Sequence, residues 1–274
     1  MNIELISMRP KIGEKQTNIN TMENYIHKSN ADFIVFGEMT LTGYNCKDNH
    51  RMLAETINDE SISRLREIAK KKEKYIIFGM PLRHQKLTGI INNAAILLHP
   101  NGKIDTYEKW FLPTFGPFEE KLYFDEGEHL PVFSTSFGTI GIQICYDLYF
   151  PEISKALALQ GADLIICISA SPSVTRTYFE TILPARAIEN TVFMAYTNIV
   201  GPQENLVFWG GSQLYNPFGK LMKKAPYFKE SSINCDINMD LLNQARANRP
   251  VLRDIRADIY TDLYDYARYH KQKK

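Results

Sequence analysis

Apolar positions recur along this chain with two alternating periods. Asn2–Met8 and Asp32–Glu38 are short, mostly apolar runs of strand length, and between them Ile19, Met22 and Ile26 recur at helical spacing. Ser61–Lys74 repeats that helical pattern through Ile62, Leu65 and Ile68, then ends in the charged run Lys70-Lys-Lys-Glu-Lys74, which reads as an exposed last turn. Strands are predicted at Tyr75–Leu82, Ala94–His99, Val132–Phe137 and Thr139–Cys145, with turns at Asn101-Gly102 and Gly138. Pro151–Gln160 opens on proline as helices often do, and Asp163–Ser169 is a strongly apolar strand. A helix over Thr177–Asn190 and strands over Thr191–Ile199, Leu206–Asn216 and Ile233–Ile237 complete the pattern. About ten strands exceed what one open sheet usually holds, so two stacked sheets flanked by helices are expected.

Composition narrows the classes without choosing among them. With 44% hydrophobic and 23% charged residues the chain is ordinary globular material, and 274 residues without a linker or internal repeat read as one α/β domain, 1–274. The basic end of the chain, from about residue 262, reads as a solvated tail. A net charge of +1 predicts no attraction to nucleic acid or to an acidic membrane. The early charges Glu4, Arg9, Lys11 and Glu14 leave no apolar signal region, and no uncharged run is long and clean enough for a membrane helix. Cys46, Cys145, Cys167 and Cys235 are too scattered for a disulfide framework or a zinc site, so a cytoplasmic enzyme with reduced thiols and no cofactor is expected.

Candidate chemistry gathers where predicted strands end. Glu38 closes Phe33-Ile-Val-Phe-Gly-Glu38, Lys109 closes Ile104-Asp-Thr-Tyr-Glu-Lys109, and Cys145 closes Ile140-Gly-Ile-Gln-Ile-Cys145. Taken singly, each has a plainer reading: a charge where a strand meets water, or a thiol packed in the core. Together an acid, a base and a thiol are the parts of nucleophilic amide hydrolysis. A Cys–His pair is poorly supported, since His129 stands in a loop-like stretch with no motif joining it to Cys145, and no metal-ligand spacing is present.

The ordered motifs then resemble a known family. Phe36-Gly-Glu-Met-Thr-Leu-Thr-Gly-Tyr44, Glu108-Lys-Trp-Phe-Leu-Pro113, Gly141-Ile-Gln-Ile-Cys-Tyr-Asp147 and Phe150-Pro-Glu152 are similar to motifs of the nitrilase, or carbon–nitrogen hydrolase, superfamily. So are Ala156–Ala162, Ala185-Arg-Ala-Ile-Glu-Asn190, Trp209-Gly-Gly-Ser212 and Asn216-Pro-Phe-Gly219. The resemblance spans nearly the whole chain. It implies a four-layer αββα sandwich, a Glu38–Lys109–Cys145 triad, and a second glutamate at Glu120, with the adjacent Glu119 as the alternative. It also implies a homodimer or larger homo-oligomer. Phe118–Phe124, Leu206–Ser212 and Leu252–Arg256 look closest to glutaminase domains of glutamine-dependent NAD synthetases. No synthetase region follows, so a complete ammonia-channelling enzyme is not expected of this polypeptide alone.

On that resemblance, Cys145 is the nucleophile, its pKa lowered by Lys109 and by a following helix N-terminus. Glu38 moves the proton, the backbone N–H of Tyr146 joins Lys109 at the oxyanion, and Glu120 orients Lys109 or the substrate. Cys-Tyr-Asp in place of the Cys-Trp-Glu of true nitrilases favours a small amide over a nitrile. N-carbamoyl amines, ω-amides, nitriles, or a subunit passing ammonia to a separate synthetase remain alternatives. Ser171 or Arg176 is expected to meet a polar or carboxylate end of the substrate, and Tyr44, Trp110, Phe115 and Tyr149 are candidates to wall the pocket.

Overall fold

The apolar runs become strands buried on both faces. Residues 1–272 are described, in a computed structural model. The chain runs β1 (Asn2–Ser7), α1 (Lys15–Lys28), β2 (Phe33–Phe36), α2 (His50–Leu53), α3 (Glu60–Lys72), β3 (Tyr75–Arg83), β4 (Ile91–Leu98) and β5 (Ile104–Glu108). It continues through β6 (Val132–Thr135), β7 (Gly138–Ile144), α4 (Pro151–Leu159), β8 (Leu164–Ser169), α5 (Arg176–Asn190) and β9 (Phe193–Asn198). The last part holds β10 (Val200–Gln203), β11 (Leu206–Trp209), β12 (Gln213–Tyr215), β13 (Leu221–Lys224), β14 (Ser231–Asp236), α6 (Asp240–Asn248) and α7 (Ala257–Gln272).

Two six-stranded sheets form, in the orders β14-β1-β2-β3-β4-β5 and β13-β12-β9-β8-β7-β6, with β10 and β11 as a separate hairpin. Successive residues of a strand face opposite sides. In β2, β3 and β4 the residues Phe33, Val35, Tyr75, Ile77, Ala95 and Leu97 enter the core shared with the second sheet. Their neighbours Ile34, Phe36, Ile76, Phe78, Ala94 and Ile96 pack with Ile19, Met22 and Ile26 of α1 and Ile62 and Leu65 of α3. On the far side, α4 and α5 cover β7 and β9. The result is two stacked sheets flanked by helices, as expected.

The centre of each sheet is parallel: β1, β2 and β3 in one, β7, β8 and β9 in the other. The carboxyl ends of β2, β7 and β8 are therefore the places where side chains can converge on one site.

Fourteen strands replace about ten. β10 and β13 carry too little apolar alternation to stand out, β5 is anticipated only as the run that Lys109 closes, and Leu206–Asn216 is divided into β11 and β12 by Gly210 and Gly211, both at positive φ. The expected tail from about residue 262 belongs to α7, whose described side chains are largely exposed; residues 273 and 274 lie outside the described part. Asp258 in the first turn of α7 and His270 and Lys271 in its last complement the helix dipole. Among the described residues no helix is long and apolar enough to cross a membrane.

Candidate active site

Close backbone approach builds the site. A Cβ on Gly37 would stand 2.7 Å from Ile199 Cγ2 and 2.9 Å from Ile199 N, and one on Gly79 would stand 2.4 Å from Met39 N. Only glycine lets the end of β2 pass this near to the second sheet. Glu38, two residues beyond β2, is thereby drawn against the end of β8: its N–H donates to Ser169 O at 3.3 Å, and Ala170 N–H donates to its Oε2 at 2.6 Å. Its other oxygen, Oε1, accepts from Lys109 Nζ at 2.8 Å and from Asn93 Nδ2 at 2.7 Å.

Lys109, one residue past β5, is fully buried, and its ammonium also donates to Glu120 Oε1 at 2.7 Å. Glu120 sits in a 3-10 turn over Glu120–Leu122 and takes a further hydrogen bond from Tyr44 OH at 2.7 Å. Glu119 is exposed and accepts from Tyr123 OH, so Glu120 is the glutamate that faces the cluster. Burial works against the Lys109 ammonium, but the charges of Glu120 and Glu38 outweigh it and hold its pKa above the ordinary lysine value. Two carboxylates around one ammonium leave an excess negative charge in a buried place. Burial pushes Glu120 up to about 7, the Lys109 charge opposes that, and Glu38 adds to it.

Cys145 begins a 3-10 turn, Cys145–Tyr149, directly after β7, at a left-handed φ of +47°. That conformation is uncommon outside glycine and costs on the order of 1–3 kcal/mol, which the surrounding structure must overcome. The thiol is nearly buried at 8% exposure and borders a cavity of about 240 Å³. The Lys109 charge lowers its pKa as expected, but does not prevail. Burial comes first and the Glu38 charge adds to it, so the thiol is pushed well above its ordinary value despite Lys109. The helix expected after the nucleophile opens at Pro151, as α4, six residues beyond Cys145.

The other expected residues divide. Phe115, Tyr146, Tyr149 and Ser171 border the cavity with Cys145 and Glu120. Tyr44 does not; its hydroxyl is committed to Glu120, and its ring lies edge-on to Phe208. Trp110 donates through Nε1 to His129 O and likewise lies off the cavity. Arg176 is turned away, with its guanidinium 4.6 Å over the Tyr227 ring and 3.9 Å from Glu180. An aromatic face and a carboxylate on one side of α5 out-compete the open loop expected from the sequence.

Two contributors escaped the sequence reading. Asn93, buried in β4, bridges the acids through Nδ2, at 2.7 Å from Glu38 Oε1 and 3.4 Å from Glu120 Oε2. Its signal was the polar pair Asn92-Asn93 leading an apolar run. Asp147 accepts from Ile144 N–H, Phe111 N–H and Tyr107 OH at 3.0, 2.9 and 2.8 Å, tying the turn of Cys145 to the segment that carries Lys109. Burial still raises its pKa to about 6, against the Lys109 charge and these three donors. Its signal was a carboxylate two residues after a candidate nucleophile.

The carbon–nitrogen hydrolase family profile matches residues 3–247. A probable nitrilase of Schizosaccharomyces pombe is 31% identical over 96% of this chain and 98% of that protein. A glutamine-dependent NAD(+) synthetase of Aquifex aeolicus is 30% identical over 93% of this chain, which spans only 45% of that longer protein. A solved amidase from Nesterenkonia, a glutamate-to-glutamine mutant carrying the acetamide moiety of fluoroacetamide covalently on its active-site cysteine, superimposes with a TM-score of 0.82. It is 26% identical over 96% of both chains. With this profile, these relatives and this fold, the chain belongs to the carbon–nitrogen hydrolase, or nitrilase, superfamily and is a hydrolase of carbon–nitrogen bonds.

Proposed function

We propose that the chain hydrolyses a small amide through a thioester on Cys145, releasing ammonia and a carboxylic acid. The observation that carries this reading is the adjacency of a strained Cys145 to a cavity backed by the buried Glu38–Lys109–Glu120 cluster. A thiol held protonated at rest needs a base at the moment of attack, and Glu38 is the acid assigned to take its proton. Sγ bonds to the amide carbon, and negative charge moves to the carbonyl oxygen. Two of the three N–H bonds of the Lys109 ammonium go to Glu38 and Glu120, and the third is left to meet that oxygen beside the N–H of Tyr146. Collapse of the intermediate breaks the C–N bond as Glu38 returns the proton to the departing nitrogen. Water, deprotonated by Glu38, then cleaves the thioester and restores the thiol. The role given to Glu120 is to fix the Lys109 ammonium, which Tyr44 and Asn93 assist from behind.

The adduct on the cysteine of the related amidase supports a covalent route here. A free-standing cytoplasmic homo-oligomer is the form proposed. The test measures ammonia from amides, N-carbamoyl compounds and nitriles with the wild type and Cys145→Ala, together with intact-protein mass spectrometry during turnover. An acyl adduct on the wild type and no ammonia from the variant are expected. Equal ammonia from both proteins would sink the mechanism.

A further inference from the structure

The cavity beside Cys145 also describes the group attached to the scissile amide. Its walls are overwhelmingly apolar: Phe115, Phe118, Phe179 and Tyr149 close round it, with Pro113 and Pro172 between them. At about 240 Å³ it lies below the roughly 300–1,000 Å³ of sites for drug-sized ligands, so it suits a short chain. Glu120 is the one charged side chain on its lining among the described residues, and that carboxylate is already bonded to Lys109 and Tyr44.

A carboxylate-bearing substrate would need a cation here, and both nearby cations are spent. Lys109 is fully buried between two carboxylates. Arg176 is held by Tyr227 and Glu180, off the cavity. Of the hydroxyls on the lining, those of Ser171 and Thr175 are used as well, which leaves the neutral phenols of Tyr146, Tyr149 and Tyr178. Trp209 Nε1 donates to Ser171 Oγ at 3.3 Å, Ser171 Oγ and Thr175 Oγ1 are 2.6 Å apart, and Thr175 Oγ1 donates to Pro172 O at 2.8 Å. Since Thr175 gives its proton to the carbonyl, Ser171 must give its own to Thr175, and no hydroxyl proton of this relay is left for a carboxylate.

We infer that the amide this enzyme hydrolyses carries a short, uncharged, apolar acyl group, and that glutamine, ω-amides ending in a carboxylate, and amides ending in an ammonium are rejected. The inference rests on the amidase reading above. A charge carried into this cavity loses its hydration without gaining a counter-charge, whereas each methylene buried there gains about 10-fold or more in kcat/KM.

Matched pairs test this with the intact wild-type enzyme. Glutamine is compared with 4-methylpentanamide, glutaramate with 5-methylhexanamide, and 5-aminopentanamide with hexanamide, each by ammonia release. In every pair the neutral member is expected to have at least about 100-fold higher kcat/KM. Equal or better turnover of any charged member overturns the inference and leaves the amidase reading intact. Ammonia from none of the six overturns the amidase reading. The inference can then still be judged from 5-oxopentanoate and 5-methylhexanal, aldehydes to which the Cys145 thiol adds reversibly without turnover. Inhibition at least about 100-fold tighter by the neutral aldehyde supports an apolar acyl site, and equal inhibition refutes it.

Discussion

Removing one hydroxyl, in Tyr44→Phe, should move the pH dependence of the reaction by a predictable amount. Tyr44 OH donates to Glu120 Oε1 at 2.7 Å, on the oxygen that also receives Lys109. A hydrogen bond to a charged acceptor is worth about 1.5–3 kcal/mol and one to a neutral acceptor about 0.5–1.5 kcal/mol, so its loss penalises the carboxylate by about 1–1.5 kcal/mol more than the acid. At 1.36 kcal/mol per pH unit this is about one unit. Glu120 starts at about 7, so its midpoint moves to about 8. If an ionised Glu120 is what orients Lys109, the acid limb of ammonia release moves with it. Activity then falls about tenfold at pH 6 and less than about twofold above pH 9. The limb reports the Glu38–Lys109–Glu120 cluster as a whole.

Stability must follow the same shift. The folded state raises Glu120 above its ordinary 4.5, so it holds a proton that the unfolded chain has released, and stability falls as pH rises from 4.5 through about 7. In Tyr44→Phe that fall continues to about 8. The variant should therefore be about 1 kcal/mol less stable than wild type at pH 5 and about 2 kcal/mol less stable above pH 8. Denaturant titrations across this range and pH–rate profiles are the measurements. An acid limb that stays in place, beside a stability difference that grows with pH, refutes the role given to Glu120.

Three other changes have expected outcomes. Asn93→Ala removes the donor shared by Glu38 and Glu120 and should lower kcat by about 10- to 100-fold with little change in KM; a large KM effect with kcat preserved would contradict this. Cys145→Gly and Cys145→Ala should both be inactive, yet the glycine variant should be about 1 kcal/mol more stable, because it alone relieves the left-handed φ of +47°. Thermal denaturation decides it, and the opposite order means that residue 145 is not strained. Gly37→Ala places a methyl 2.7 Å from Ile199 Cγ2 and should cost about 1–3 kcal/mol and most of the activity, read by denaturation and ammonia release; wild-type values for both would show that the sheets tolerate more room there.

The legible parts of the molecule were those written in local pattern. Runs such as Phe33–Phe36 and Leu164–Ser169, buried throughout, announce strands covered on both sides, and Glu38, Lys109 and Cys145 each stand just past the end of a strand. What lay hidden depends on contacts between distant positions. Asn93 meets Glu38 across 55 residues, and Tyr44 meets Glu120 across 76, through pairings that no local spacing encodes. The fate of Arg176 turned on Tyr227, on a different element. The thiol's protonation was misjudged for a related reason: proximity to Lys109 was anticipated from the motifs, while the burial and the Glu38 charge that outweigh it exist only after folding.

The pairing of β1 with β14 has a consequence for how the chain is made. Asn2–Ser7 align residue for residue with Asp236–Ser231, which are synthesised much later. At roughly 5–20 residues per second, some 224 residues and roughly 10–45 s separate the two strands during translation. Throughout that interval β1 can pair with β2 on one side while its other edge stays open, and an open edge invites pairing with another chain. Release of a nascent chain before Ser231 would leave that edge permanently uncapped. Products truncated before Ser231 should therefore collect in the insoluble fraction, while chains that include β14 close the edge themselves.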